Sequence, residues 1–179
     1  MEDKDLLEKL RHPESANFGF NMLVRKYQQK VYWHIRKMVI DHDDTDDLTQ
    51  EVFIKIHKNI QSFREDSQLY TWIYRIATNE CLNFLQRKKR RFFLPIGDVE
   101  GELAAKLTNS PDVSGDDVQL QLQKALLKLP VKQRLVFNMK YFDDLSYKEI
   151  AEITHTSVGA LKASYHHAVK KIEEFLKED

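Results

Sequence analysis

Between positions 69 and 90 one tryptophan, three amides and two arginines recur at intervals of three and four residues: Trp72, Arg75, Asn79, Asn83, Gln86 and Arg90. That spacing puts all six on one side of a helix. An indole stacks on unpaired bases, amides and guanidinium groups read base edges, and cations hold phosphates. The stripe runs into five consecutive cations, Arg87-Lys88-Lys89-Arg90-Arg91. A solvated basic helix end would show the same residue types. Their order along one face favours nucleic acid.

The element that carries this stripe must bury its other side. Ile73, Ala77, Cys81 and Phe84 share that side, so Cys81 is expected to be a small core hydrophobe and not a nucleophile. Period 3.6 recurs elsewhere and no stretch alternates at period two, so the chain is expected to be all-α. Helices are expected over 16–40, 46–61, 69–90, 117–129, 131–141, 146–154 and 157–177. In the first, Phe20, Leu23, Val24, Tyr27, Val31 and Ile35 form the apolar side. In the second, which starts after Asp43-Asp44-Thr45, Leu48, Val52, Phe53, Ile56 and Ile60 point to the core. Its other face carries Asp47, Gln50, Glu51, Ile54 and Lys58. Taken alone, that face reads more readily as a solvated surface with one stray isoleucine than as a partner footprint.

Near the C-terminus two helices flank a short polar turn, Thr154-His155-Thr156-Ser157, in the manner of a helix-turn-helix. Ser146 and Glu149 form a capping box for the first helix, and Ser157 can cap the second. Val158, Leu161, Tyr165, Ala168, Val169 and Ile172 are expected to be buried. Ala160, Ala163, His167 and Lys170 face outward, flanked by Gly159, Ser164, His166 and Lys171. Small residues followed by longer polar ones suit a helix lying deep in a major groove. A generic helical hairpin would look similar without the basic stripe upstream.

Composition narrows the choice of function. The 179 residues hold 28 basic and 28 acidic side chains, for a formal net charge of zero. No apolar run approaches the ~20 residues of a membrane span, and the acidic start lacks the apolar centre of a secretion signal. A single cysteine excludes a disulfide framework, and five scattered glycines exclude a P-loop or a dinucleotide fingerprint. The aspartates at 41, 43, 44, 46 and 47 fail the calcium-loop pattern in either register, because aspartate, valine, leucine or isoleucine stands where glycine or glutamate is needed. They suit a helix N-terminus instead. The seven histidines lack zinc-site spacing, so no metal, cofactor or catalytic residue is expected, and neither is a small-molecule substrate.

Charge is uneven along the chain. Residues 1–91 carry 17 basic and 14 acidic side chains, and residues 120–179 carry ten and eight. Residues 92–119 carry one basic side chain, Lys106, against six acidic ones, together with three glycines and two prolines. That composition describes a tether unable to offset its ordering entropy. Two small helical domains, 1–91 and 119–179, joined by a flexible acidic linker over 92–118, are therefore expected.

Two blocks of motifs resemble a known family. Asp46-Asp47-Leu48-Thr49-Gln50-Glu51-Val52-Phe53, Ser62-Phe63-Arg64 and Tyr70-Thr71-Trp72-Ile73-Tyr74-Arg75-Ile76-Ala77-Thr78-Asn79 resemble region 2 of sigma factors, and in particular the extracytoplasmic-function (ECF) group. Leu129-Pro130 through Arg134, Leu145-Ser146-Tyr147-Lys148-Glu149-Ile150-Ala151 and Val158-Gly159 resemble region 4 of that group. The resemblance implies a cytoplasmic transcription-initiation subunit that directs core RNA polymerase to promoters and performs no covalent chemistry. It implies that Asp47, Gln50, Glu51 and Ile54 grip the clamp helices of the largest polymerase subunit, which reverses the solvated-face reading. It further implies that Phe63, Arg64 and the loop through Ser67 receive a base flipped from the −10 element. Asn79 would contact that base, and Trp72, Arg75, Asn83 and Gln86 would lie on the melting surface. Unstacking costs a few kcal/mol per base, supplied by binding. An anti-sigma factor is a further partner implied by the family.

The recognition helix departs from the family pattern. Two expected arginines are Ser164 and His167, leaving Lys162, His166 and Lys170 as companions on the −35-facing side. Weaker and more pH-sensitive −35 binding is expected, since histidine as a class titrates near ~6.5. With positive charge only local, free DNA binding should be weak and polymerase should supply the remainder. A sigma-like scaffold that binds a partner without melting DNA is the competing reading, and a hydrolase finds no acid/base pair to support it.

Overall fold

The computed structural model describes residues 2–91, 96–108 and 117–178, with the side chains of Arg91 and residues 96–100 left out of the description. All regular structure among them is helical: α1 Asp3–Arg11, α2 Ala16–Val39, α3 His42–Asn59, α4 Leu69–Arg91, α5 Ile96–Thr108, α6 Asp117–Leu127, α7 Val131–Phe137, α8 Tyr147–Thr154 and α9 Val158–Glu178. A 3-10 turn, Ile60–Ser62, extends α3, and a π-helical turn, Asn138–Phe142, extends α7.

The expected helices are present with ends shifted by a few residues. Asp41 caps α3, its carboxylate accepting the Asp44 N–H at 2.9 Å, so this helix begins upstream of the expected start. Ser146 accepts the Glu149 N–H at 3.2 Å while the Glu149 carboxylate accepts the Ser146 N–H at 2.7 Å. That is the capping box read from sequence. Two helices were not expected. α1 closes the bundle with Leu6, Leu7 and Leu10, and it approaches α2 so closely that a Cβ on Gly19 would lie 3.0 Å from the Leu10 backbone nitrogen. α5 forms inside the segment expected to be an unstructured linker, because Leu103 and Leu107 find apolar partners in Ile40 and Leu127. The remaining linker positions, 92–95 and 109–116, lie outside the described residues.

Helices α2, α3 and α4 pack around Leu23, Val31, Ile35, Val52, Ile56 and Ile73, all fully buried. The same core continues without a break into Leu135, Met139, Ile150 and Leu161 of the C-terminal half. A second, smaller core joins Leu126, Leu129, Phe137, Ala168 and Ile172. The two helical units thus press against each other along α2, α4 and α8.

Polar groups bind this seam at specific points. An Arg134 Nη donates to the Met38 carbonyl at 3.1 Å, and an Arg75 Nη donates to the Glu152 carbonyl at 2.8 Å. The Asp143 carboxylate is only 10% exposed; it pairs with Lys37 and lies 3.5 Å from the His34 ring. Burial pushes the Asp143 carboxyl up, but the adjoining His34 ring and Lys37 ammonium outweigh it and hold it below the usual aspartate value. Because the folded value is depressed, this stabilisation is present above the unfolded-state value of ~3.9 and fades as pH falls through the folded one. Asp143→Asn is expected to lower the unfolding free energy at neutral pH by about 1.5–3 kcal/mol. Urea titrations at several pH values check this: the gap between wild type and variant should close on acidification, and a gap independent of pH contradicts the assignment.

Candidate polymerase and promoter interfaces

The core side of α3 lies where the periodicity put it, with Leu48, Val52, Phe53, Ile56 and Ile60 all buried. Asp47, Gln50, Glu51, Ile54 and Lys58 consequently face solvent, and Ile54 leaves 53% of its surface uncovered. This is an acidic face with one large apolar side chain at its middle. Asp47 and Glu51 border a groove of about 590 Å³, shared with Phe84 and Lys88 of α4 and with Glu102 and Lys106 of α5.

The stripe on α4 divides into two parts. Asn79, Asn83, Gln86 and Arg90 are exposed. Trp72 and Arg75 are half-buried, and Arg75 is held by α8 through the Glu152 carbonyl. On the far side Ile73, Ala77 and Cys81 are fully buried, with Phe84 half-covered. Burial pushes the Cys81 thiol up to about 12, which keeps it protonated and unreactive. The five-cation run is not uniformly free. Lys88 is 9% exposed and pairs with Glu102 at 3.2 Å and Asp44 at 3.6 Å.

The loop before α4 carries the three residues expected to receive a flipped base, Phe63, Arg64 and Ser67. Phe63 is buried and packs against Trp72, ring centroids 5.2 Å apart. Arg64 is exposed and Ser67 half-buried, so these two keep an open side. The loop is braced from α1: Arg11 pairs with Glu65 at 2.6 Å, and Gln61 donates to the Leu10 carbonyl at 2.7 Å. Glu65 adopts φ 60°, a left-handed conformation uncommon outside glycine. Arg11, Gln61 and Glu65 escaped the sequence reading because nothing local marks a contact spanning fifty positions.

In α9 the face expected to meet the −35 element is open. Lys162, His166, His167 and Lys170 are exposed and Ser164 is half-buried. Ser157 accepts the Ala160 N–H at 3.2 Å, and His155 turns the chain with φ 53°. Leu161, Ala168 and Ile172 are buried, with Tyr165 and Val169 half-covered. Val158 departs from expectation: at the first position of α9 it extends past the core and stays 37% exposed.

Two family models match the chain: sigma-70 region 2 matches residues 23–91 and sigma-70 region 4 matches residues 119–172. Among curated relatives, the RNA polymerase sigma-H factor of Pseudomonas aeruginosa is 32% identical over 98% of this chain and 94% of its own. The ECF RNA polymerase sigma factor SigW of Bacillus subtilis is 33% identical over 89% and 90%, respectively. The chain belongs to the ECF sigma factors. It is therefore a promoter-recognising RNA polymerase initiation factor. Its fold is similar to that of CnrH in complex with the cytosolic domain of CnrY, with TM-score 0.71, 22% identity and coverage of 99% of this chain and 98% of the other. The sigma factor RpoE of Bartonella quintana, in complex with the anti-sigma factor NepR, gives TM-score 0.68 at 22% identity, covering 89% and 98%. Helices α2–α4 carry region 2 and α6–α9 carry region 4, whereas α1 and α5 lie outside both matches.

The position of Phe63 in this sigma factor yields a test. Phe63→Ala removes the support beneath Trp72 and is expected to cost about 3–5 kcal/mol of unfolding free energy in the DNA-free protein. Chemical denaturation measures it. An unchanged midpoint would contradict the packing role of Phe63.

Proposed function

We propose that Asp47, Gln50, Glu51 and Ile54 dock on the clamp helices of core RNA polymerase, and that the α4 stripe opens the −10 element. The observation that carries this reading is the geometry of two neighbouring helices with opposite tasks. α3 turns an acidic face to solvent, while α4 turns out amides, an aromatic and cations beside it. An acidic face repels DNA and suits a basic protein surface. The adjoining stripe offers stacking, base-edge and phosphate contacts to a strand presented by that partner. Arg64, Ser67 and Asn79 would hold the flipped base, with Phe63 acting through Trp72. Lys162, Ser164, His166, His167 and Lys170 on α9 would face the −35 duplex.

On this reading the chain lowers the cost of strand separation by binding and does no bond chemistry, so it is not an enzyme and uses no cofactor. Its place of action is the cytoplasm, with the polymerase. No helix among the described residues is long and apolar enough to cross a membrane. An anti-sigma factor is proposed as a partner because two proteins of the same fold are recorded in complexes, one with an anti-sigma factor and one with the cytosolic domain of CnrY. Arg75 is engaged by α8 through the Glu152 carbonyl, so initiation on this reading includes withdrawal of α8 from α4.

In vitro transcription with bacterial core polymerase tests the assignment. Trp72→Ala is expected to reduce open complex about fivefold or more, since base–aromatic stacking is worth about 1–3 kcal/mol per base, and Asn79→Ala by a similar factor, since a base-edge amide contact is worth about 1–3 kcal/mol, while polymerase binding stays intact. Unchanged open complex in both variants would favour a scaffold that binds polymerase without melting DNA.

A further inference from the structure

The helix inside the linker, α5, rests on both region 2 and α6 of region 4. Its apolar edge, Leu103 and Leu107, is buried against Ile40 at the α2–α3 corner and Leu127 at the end of α6. Ile40 holds φ 69°, a conformation that β-branched residues rarely take. The corner is therefore a strained point that the leucines cover.

The polar edge of α5 forms a ladder of charge. Lys106 lies 3.1 Å from the Asp41 carboxylate and 3.4 Å from Glu102 one turn earlier. Glu102 in turn lies 3.2 Å from Lys88 of α4. These bonds fix α5 along one wall of the groove whose other wall is α3, with Asp47 and Glu51 at its rim. Gln50 and Ile54 are exposed on the remaining part of the α3 face.

We propose that α5 is an intramolecular strap that competes with core polymerase for the α3 face and is displaced when polymerase docks. The inference rests on the polymerase-docking role given above to Asp47 and Glu51. Its energetics suit a displaceable element. Lys106 and Glu102 are each about one-third exposed, so their ion pairs are weak and salt-screened. Among the described side chains of α5, the apolar anchor is Leu103 and Leu107 with Ala104 packed beside them. A partner that brings cations to Asp47 and Glu51 meets α5 along the groove and replaces modest contacts with a larger interface. The strap also engages Lys88 through Glu102, a contact that its release breaks.

The test measures binding of the full-length chain to core polymerase. Lys106→Glu sets a negative charge against Asp41 and Glu102 and alters only a part-exposed side chain, so the fold persists. Leu103→Ala with Leu107→Ala removes the apolar anchor by a separate route. Both are expected to tighten the polymerase Kd about threefold to tenfold, the latter equivalent to about 1.4 kcal/mol. Amide hydrogen exchange in α5 should be slow in the free wild-type chain and fast both in the variants and in the polymerase complex. If wild type binds polymerase and neither variant binds more tightly, the strap is refuted and the docking role stands. Persistent α5 protection in the complex likewise refutes the strap. If wild type itself fails to bind, the docking role falls and the strap falls with it.

Discussion

The seam between the two halves depends on burying the Asp143 carboxylate. An isolated charge at such a depth would be too costly to retain, and it is tolerated because Lys37 and His34 meet it from α2. Arg134 and Arg75 donate hydrogen bonds from their guanidinium groups to backbone carbonyls of the opposite unit. Hydrophobic contact supplies most of the adhesion, but it is non-directional. These polar contacts set which faces meet and in what register.

That register decides what solvent can reach. Pressing α8 on α4 occupies Arg75, while Asn79, Asn83 and Gln86 stay open further along the same stripe. On the other side of the bundle α5 occupies Lys88 and borders Asp47 and Glu51. The surfaces that would meet polymerase and promoter are thus partly engaged by the protein itself, each through contacts near its surface.

Much of the fold was legible from short-range signals. The core positions Leu48, Val52 and Ile56 on α3, and Ile73, Ala77 and Cys81 on α4, follow from period 3.6 alone. The Ser146–Glu149 box follows from two residues three positions apart. α5 was not legible, because an acidic, glycine- and proline-containing segment gives little reason to order until Ile40 and Leu127 offer a surface. α1 was hidden for a related reason: its nine residues are too few to be stable alone and hold together against α2.

The amino-acid order alone therefore determined where the main helices run, which side of each is apolar, and which polar residue types share a face, since all three depend on neighbours within a turn or two. Tertiary structure decided which of several chemically equivalent side chains is withdrawn from solvent. Phe63, Arg75, Lys88 and Asp143 could each have remained exposed by local rules. Their burial or pairing depends on partners brought in from elsewhere in the chain, as far as the 106 positions between Lys37 and Asp143. Periodicity carries no information about such partners, because the contact exists only once the two surfaces have been folded together.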